Sequence, residues 1–186
     1  ITEMNDAEGE TVELMNPVSA DTPEIEDWLN AFEEEMKNTL KEDILRAVET
    51  YDPAKRKEWF SNYPAQAILI ASQIIWTSQV TQTFKSIKVN RMAMLQQRYI
   101  DLLNELTDLI RQPISKDLRQ LISCMLINQV HNRDIINQLI ENNVNDVDDF
   151  KWIKQLRYYV ENSTVIVQSI NHIFEYSYEY AGNSNR

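Results

Sequence analysis

Apolar residues recur at three- and four-residue steps through Ile25, Trp28, Leu29, Phe32, Met36, Leu40, Ile44 and Val48. At ~3.6 residues per turn this is one stripe of about seven turns, the signature of a long amphipathic helix. Asp21 or Thr22 can cap it, Pro23 suits its first turn, and Glu24, Glu26 and Asp27 sit where the positive helix end favours anions. Tyr51-Asp52-Pro53 ends it. Asp52 and Pro53 then open a short helix carrying Trp59 and Phe60, which stops near Asn62-Tyr63-Pro64 because proline disfavours helical geometry in its predecessor. From Pro64 to Lys88 the pattern predicts a third helix, apolar on most sides in its first half (Ala67 to Ala71, then Ile74, Ile75 and Trp76) and therefore central. A fourth runs from about Asn90 to Arg111, closed by Pro113. Ser115 caps a fifth, with Leu118, Leu121, Ile122, Met125, Ile136, Leu139 and Ile140 as its stripe, fraying by Asn142-Asn143.

After a short capped turn from Asp146 to Trp152 the period falls to two. Leu156, Tyr158 and Val160 alternate with Arg157, Tyr159 and Glu161, and Thr164 to Gln168 is β-branched. Phe174, Tyr176, Tyr178 and Tyr180 alternate with Ile173, Glu175, Ser177 and Glu179, which predicts a final strand with four aromatics on one face. Asn162-Ser163 suits a hairpin turn, and Gly182-Asn183 releases the last strand. Residues 1–20 are polar, acidic and without helical period, and read as an extended lead-in. The expected fold is mainly α: an elongated helical bundle of about five main helices over residues 21–145, then a short helix and a small antiparallel β-hairpin or sheet in 146–186.

Charge is distributed unevenly. The 186 residues carry a formal net charge of −11. Residues 1–50 hold 15 acidic and 3 basic residues, whereas the remainder is nearly balanced. No dense basic patch is available for phosphate backbone, so a nucleic-acid partner is not expected. No basic n-region precedes an apolar stretch, and the greasiest run, Ala65 to Val80, is interrupted by glutamines and too short to span a bilayer. Neither a signal peptide nor a membrane partner is expected.

The chemistry is equally bare. Only Gly9 and Gly182 are glycines, which leaves no glycine-rich phosphate loop and no nucleophile elbow. Cys124 is the single cysteine, flanked by Ser123 and Met125, and reads as a small buried hydrophobe rather than a nucleophile. His131 lies on a helix without HExxH spacing and His172 at a strand start; neither has a second ligand nearby in sequence. Glu33-Glu34-Glu35 fits the polar side of a helix, and Asp146, Asp148 and Asp149 fit a capped helix start better than a calcium loop. No catalytic, metal or cofactor site is expected.

Several short motifs carry a resemblance. Glu8-Gly9-Glu10, Trp28-Leu29, Met36, Trp59, Pro64-Ala65-Gln66 and Ile74-Ile75-Trp76-Thr77 are the first. His131-Asn132-Arg133-Asp134, Asp149-Phe150-Lys151-Trp152, Gln155-Leu156-Arg157-Tyr158-Tyr159 and Tyr176-Ser177-Tyr178-Glu179-Tyr180-Ala181-Gly182-Asn183 complete the set. Together they resemble the C-terminal part of the linker region of dynein heavy chains, just before the first AAA+ module, and the axonemal branch more than the cytoplasmic one. The sequence departs from that pattern at Ser177, where glycine is usual, at Ala181, where leucine is usual, and at Val160, where axonemal members often have tryptophan. The resemblance implies a mechanical lever without its own catalytic site, in a parent protein whose AAA+ ring binds ATP and Mg and drives movement on microtubules. It implies that residues 146–186 join the ring, with Trp152, Arg157, Tyr158, Phe174, Tyr176, Tyr178, Glu179, Tyr180 and Gly182 as coupling candidates. The implied partners are the ring of the same chain and, through other parts of the parent, intermediate and light chains and microtubules. The implied location is the cytoplasmic cytoskeleton and the axoneme of a cilium or flagellum. Two readings of the terminal aromatics stay open: an anchor to the ring, or a cover for helix ends. Composition alone leaves a second function open, an independent acidic helical module recruiting a basic partner.

Overall fold

A computed structural model describes residues 1–7, 9–21, 24–85 and 90–182. The chain divides into two compact units, Ile1–Ala71 together with the end of the chain from Tyr176, and Ser72–Glu175.

The first unit opens on an antiparallel hairpin of β1 (Glu3–Asn5) and β2 (Thr11–Glu13). Residues 1–20 are therefore not a plain extended lead-in. Met4 and Val12 face each other across the hairpin and both are buried, as are Leu14 and Val18 farther on. Four apolar residues spaced among acids give too weak a period for sequence reading, yet each finds cover. Asp6 closes the turn by accepting from the Glu10 N–H at 2.8 Å, with Gly9 at φ 99°. Helix α1 (Ile25–Glu49) follows; its N-cap is Glu24, without a side-chain cap bond, rather than Asp21 or Thr22. Thr22 and Pro23 lie outside the described residues. Leu40, Ile44 and Ala47 are fully buried, and the Trp59 indole N–H of α2 (Arg56–Asn62) donates to the Ala47 carbonyl at 2.8 Å. Asp52 caps a 3-10 turn over Pro53–Lys55, as its sequence predicts. Helix α3 (Ala65–Phe84) begins in this unit. Its expected end at Lys88 lies outside the described residues.

The second unit holds the rest of α3, α4 (Arg91–Ile110), α5 (Lys116–Glu141) and α6 (Phe150–Ile153). It also contains the sheet β3 (Arg157–Glu161), β4 (Thr164–Ser169) and β5 (His172–Glu175), antiparallel in that order. Leu95, Tyr99, Leu102, Leu103, Leu106 and Leu109 give α4 its buried stripe, and Gln96 donates to Asn137 of α5 at 2.7 Å. Ser115 caps α5 through the Leu118 N–H. Asn143 ends that helix in the left-handed region, φ 52°, while the Val144 N–H returns to the Leu139 carbonyl and Val144 is buried beneath, the Schellman arrangement. Trp76 packs edge-on to Trp152 at 5.4 Å, and Phe84 lies 5.9 Å from the same ring. The Thr77 hydroxyl accepts from the Tyr158 N–H at 3.1 Å, tying β3 to α3. Asn162 and Ser163, at φ 49° and 57°, form the two-residue turn that right-twisted hairpins prefer.

The final strand stops early. β5 ends at Glu175, and the expected continuation through Tyr180 leaves the sheet, with Tyr178 at φ 56°. The physical reason is a competing set of hydrogen bonds, described next. Among the described residues no helix is long and apolar enough to cross a membrane.

Candidate functional site

Within the first unit, one glutamine gathers the end of the chain. Gln66 lies in the first turn of α3, and its side chain is buried beneath residues 176–182. A primary amide offers two donors and one acceptor in a plane, the complement of an extended backbone. Gln66 uses all three. Its Nε2 donates to the Tyr176 hydroxyl at 2.8 Å and to the Glu179 carbonyl at 2.7 Å, and its Oε1 accepts from the Ala181 N–H at 2.8 Å. The side chain thus takes the place of a neighbouring strand, which is why residues 176–181 need not continue β5.

A carboxylate completes the arrangement. Glu10, at the end of the hairpin turn, accepts from the Ala65 N–H at 2.7 Å through Oε1 and from the Tyr180 hydroxyl at 3.0 Å through Oε2. The first bond satisfies an N–H that the start of α3 cannot pair within the helix, and it sets negative charge at the positive helix end. Desolvation raises the Tyr180 phenol well above its ordinary value, with the Glu10 charge, the Glu10 hydrogen bond and the Asp6 charge acting in the same direction. Burial also pushes the Tyr176 phenol up, opposed by the Gln66 hydrogen bond. Tyr178 is buried, its ring edge-on to Tyr176 at 5.2 Å and 6.0 Å from the Lys41 ammonium. Gly182 sits at φ 63°, where a Cβ would fall 2.4 Å from the Asp6 Cβ. Only glycine fits there.

Of the nine coupling candidates, Tyr176, Tyr178, Glu179, Tyr180 and Gly182 meet at this joint. The other four belong to the second unit. Trp152 is a core residue, fully buried against Trp76. Phe174 is exposed on β5, so the four aromatics do not share one strand face. Tyr158 is half-buried on β3. Arg157 is buried at the start of β3, its Nη1 3.4 Å from the Tyr159 hydroxyl, while its Nε meets no acceptor among the described residues. Gln66, Glu10, Asp6 and Lys41 were not candidates, and a glutamine in a helix first turn carries no visible signal of its partners. Asn183 lies outside the described residues.

The joint brings together two phenols, an amide and the Glu10 carboxylate, each engaged with a neighbour in the same unit. His131 is exposed on α5, and desolvation pushes the half-buried Cys124 thiol up, away from reactivity. Among the described residues no three His, Cys, Asp or Glu side chains converge as metal ligands.

The family profile for the dynein heavy chain, N-terminal region 2, matches residues 1–47. Along its whole length the chain is 35% identical to human (Homo sapiens) dynein axonemal heavy chain 1, and 35% identical over 188 residues to human dynein axonemal heavy chain 12. It is 32% identical over 203 residues, covering 98% of the chain, to the cytoplasmic dynein heavy chain of Dictyostelium discoideum. The chain spans only 4%, 6% and 4% of the length of these three relatives. This full-length similarity, axonemal and cytoplasmic alike, makes the chain a segment belonging to the dynein heavy chain family.

Proposed function

We propose that this segment is a mechanical linker element that passes shape changes of an ATP-driven AAA+ ring into movement along microtubules. The observation that carries the reading is the Gln66 joint. A lever needs stiff members and a firm attachment for the chain leaving it. Here the outgoing segment is bonded through Gln66 and Glu10 to the start of a 20-residue helix and to a hairpin turn. In this reading ATP and Mg belong to the ring of the parent heavy chain, the segment contributes no catalytic group, and the setting is the cytoskeleton of a cilium or flagellum. Intermediate and light chains and microtubules engage other parts of the parent.

The test uses an intact heavy-chain motor with Gln66→Leu and Tyr180→Phe. These changes remove four hydrogen bonds and keep side-chain bulk. Basal ATP hydrolysis should stay within about twofold, because the nucleotide sites lie elsewhere, while microtubule gliding slows at least twofold. Unchanged gliding alongside a lowered melting temperature would show that the joint merely stabilises the fold, and the lever reading would fall.

A further inference from the structure

Helix α1 changes character half way along. Successive residues are turned about 100° around a helix axis, which puts Ile25, Trp28, Leu29, Phe32 and Met36 on the same side as the fully buried Leu40 and Ala47. The stripe is continuous, but its cover is not. Ile25 is 66% exposed and Leu29 46%, with Trp28 and Phe32 between them only half-buried. Two exposed branched aliphatics beside a half-buried tryptophan and phenylalanine form, on one face, the kind of patch that marks an interface.

Charge specifies what covers it. By the same rotation Glu26 and Glu33 edge the stripe on one side and Glu24 and Glu35 on the other, and residues 24–35 contain six acids and no lysine or arginine. Glu35 accepts from Asn16, and Glu33 pairs with Lys37 one turn on, a partly exposed pair weak enough for an incoming cation to replace. The relatives are about 17 to 25 times the length of this chain, which leaves ample heavy chain to supply a cover.

We propose that the N-terminal half of α1 docks an amphipathic helix from elsewhere in the same heavy chain. Its apolar stripe meets Ile25, Trp28, Leu29 and Phe32, and its lysines or arginines flank that stripe to face Glu26 and Glu33. The burial supplies the affinity and the carboxylates set the register. The proposal rests on family membership and not on the lever reading, which the gliding assay tests separately.

The experiment places a benzophenone amino acid at Leu29 of the full heavy chain, irradiates the purified assembly and sequences the adduct. The expected product is an internal link to a heavy-chain peptide outside these 186 residues, with apolar residues at three- and four-residue steps and basic flanks. Glu26→Lys with Glu33→Lys should cut the yield at least fivefold while basal ATP hydrolysis is retained, and Glu26→Asp with Glu33→Asp should restore most of it. A link to a peptide without basic flanks, to another subunit or to tubulin would overturn the proposal. So would the absence of an adduct, or charge reversal without effect.

Discussion

Tyr180 shows how one hydroxyl registers its surroundings. Half-buried and hydrogen-bonded to Glu10, it holds its proton more tightly than a phenol in the unfolded chain, which titrates near pH 10. Between that value and the raised folded one, the folded state keeps a proton that the unfolded state has lost. Stability therefore falls as pH rises through this window, while the contribution is fully present below it. Burial of Tyr176 works in the same direction. The melting temperature should drop above about pH 10, and Tyr180→Phe should flatten that decline while lowering stability at neutral pH through the lost Glu10 bond. A variant as steep as the parent would show that Tyr180 ionises freely in the folded protein.

At the scale of elements, the first hairpin most changes the reading of the chain. A disordered tail would tolerate Met4→Ala within about 0.5 kcal/mol, as surface changes do. Met4 is buried opposite Val12, so the substitution should cost ~2–5 kcal/mol in urea melts, and a negligible loss would return residues 1–20 to a loose lead-in. The long helices α1, α3, α4 and α5 were legible because each spends ten or more residues on one apolar pattern, and local chemistry marked the joins: Ser115 capping α5, Asp52 opening the turn before α2, Asn162-Ser163 turning β3 into β4. The short strands were less so. β1 and β2 are three residues each, too brief for a period of two to stand out. The aromatic strand misled for a different cause. Alternation from Ile173 to Tyr180 is genuine, but a side-chain amide more than a hundred residues earlier takes the backbone bonds that a sheet would otherwise make. Local pattern carries no record of so distant a competitor, so the resemblance named five terminal residues as candidates while Gln66, which bonds two of them, stood only as part of the Pro64-Ala65-Gln66 motif.

For the whole molecule, the two glycines constrain function as well as shape. Phosphate-binding loops bring backbone against phosphate and need glycine to do so. Gly9 is committed to a hairpin turn and Gly182 to its close approach to Asp6. Calorimetry of the chain with MgATP should accordingly register no binding at micromolar nucleotide; saturable heat that survives removal of contaminating ATPases would contradict this. The joint has one more consequence, for how such a sequence drifts over generations. Gln66 holds Glu179 and Ala181 by carbonyl and N–H, groups that every residue except proline supplies. The side chains at 177, 179 and 181 are exposed, and neither bond depends on which side chain stands there. A change at Gln66 would break both bonds where a change at 177 or 179 would not, so the outgoing segment can vary its surface toward whatever it meets while its point of departure stays fixed.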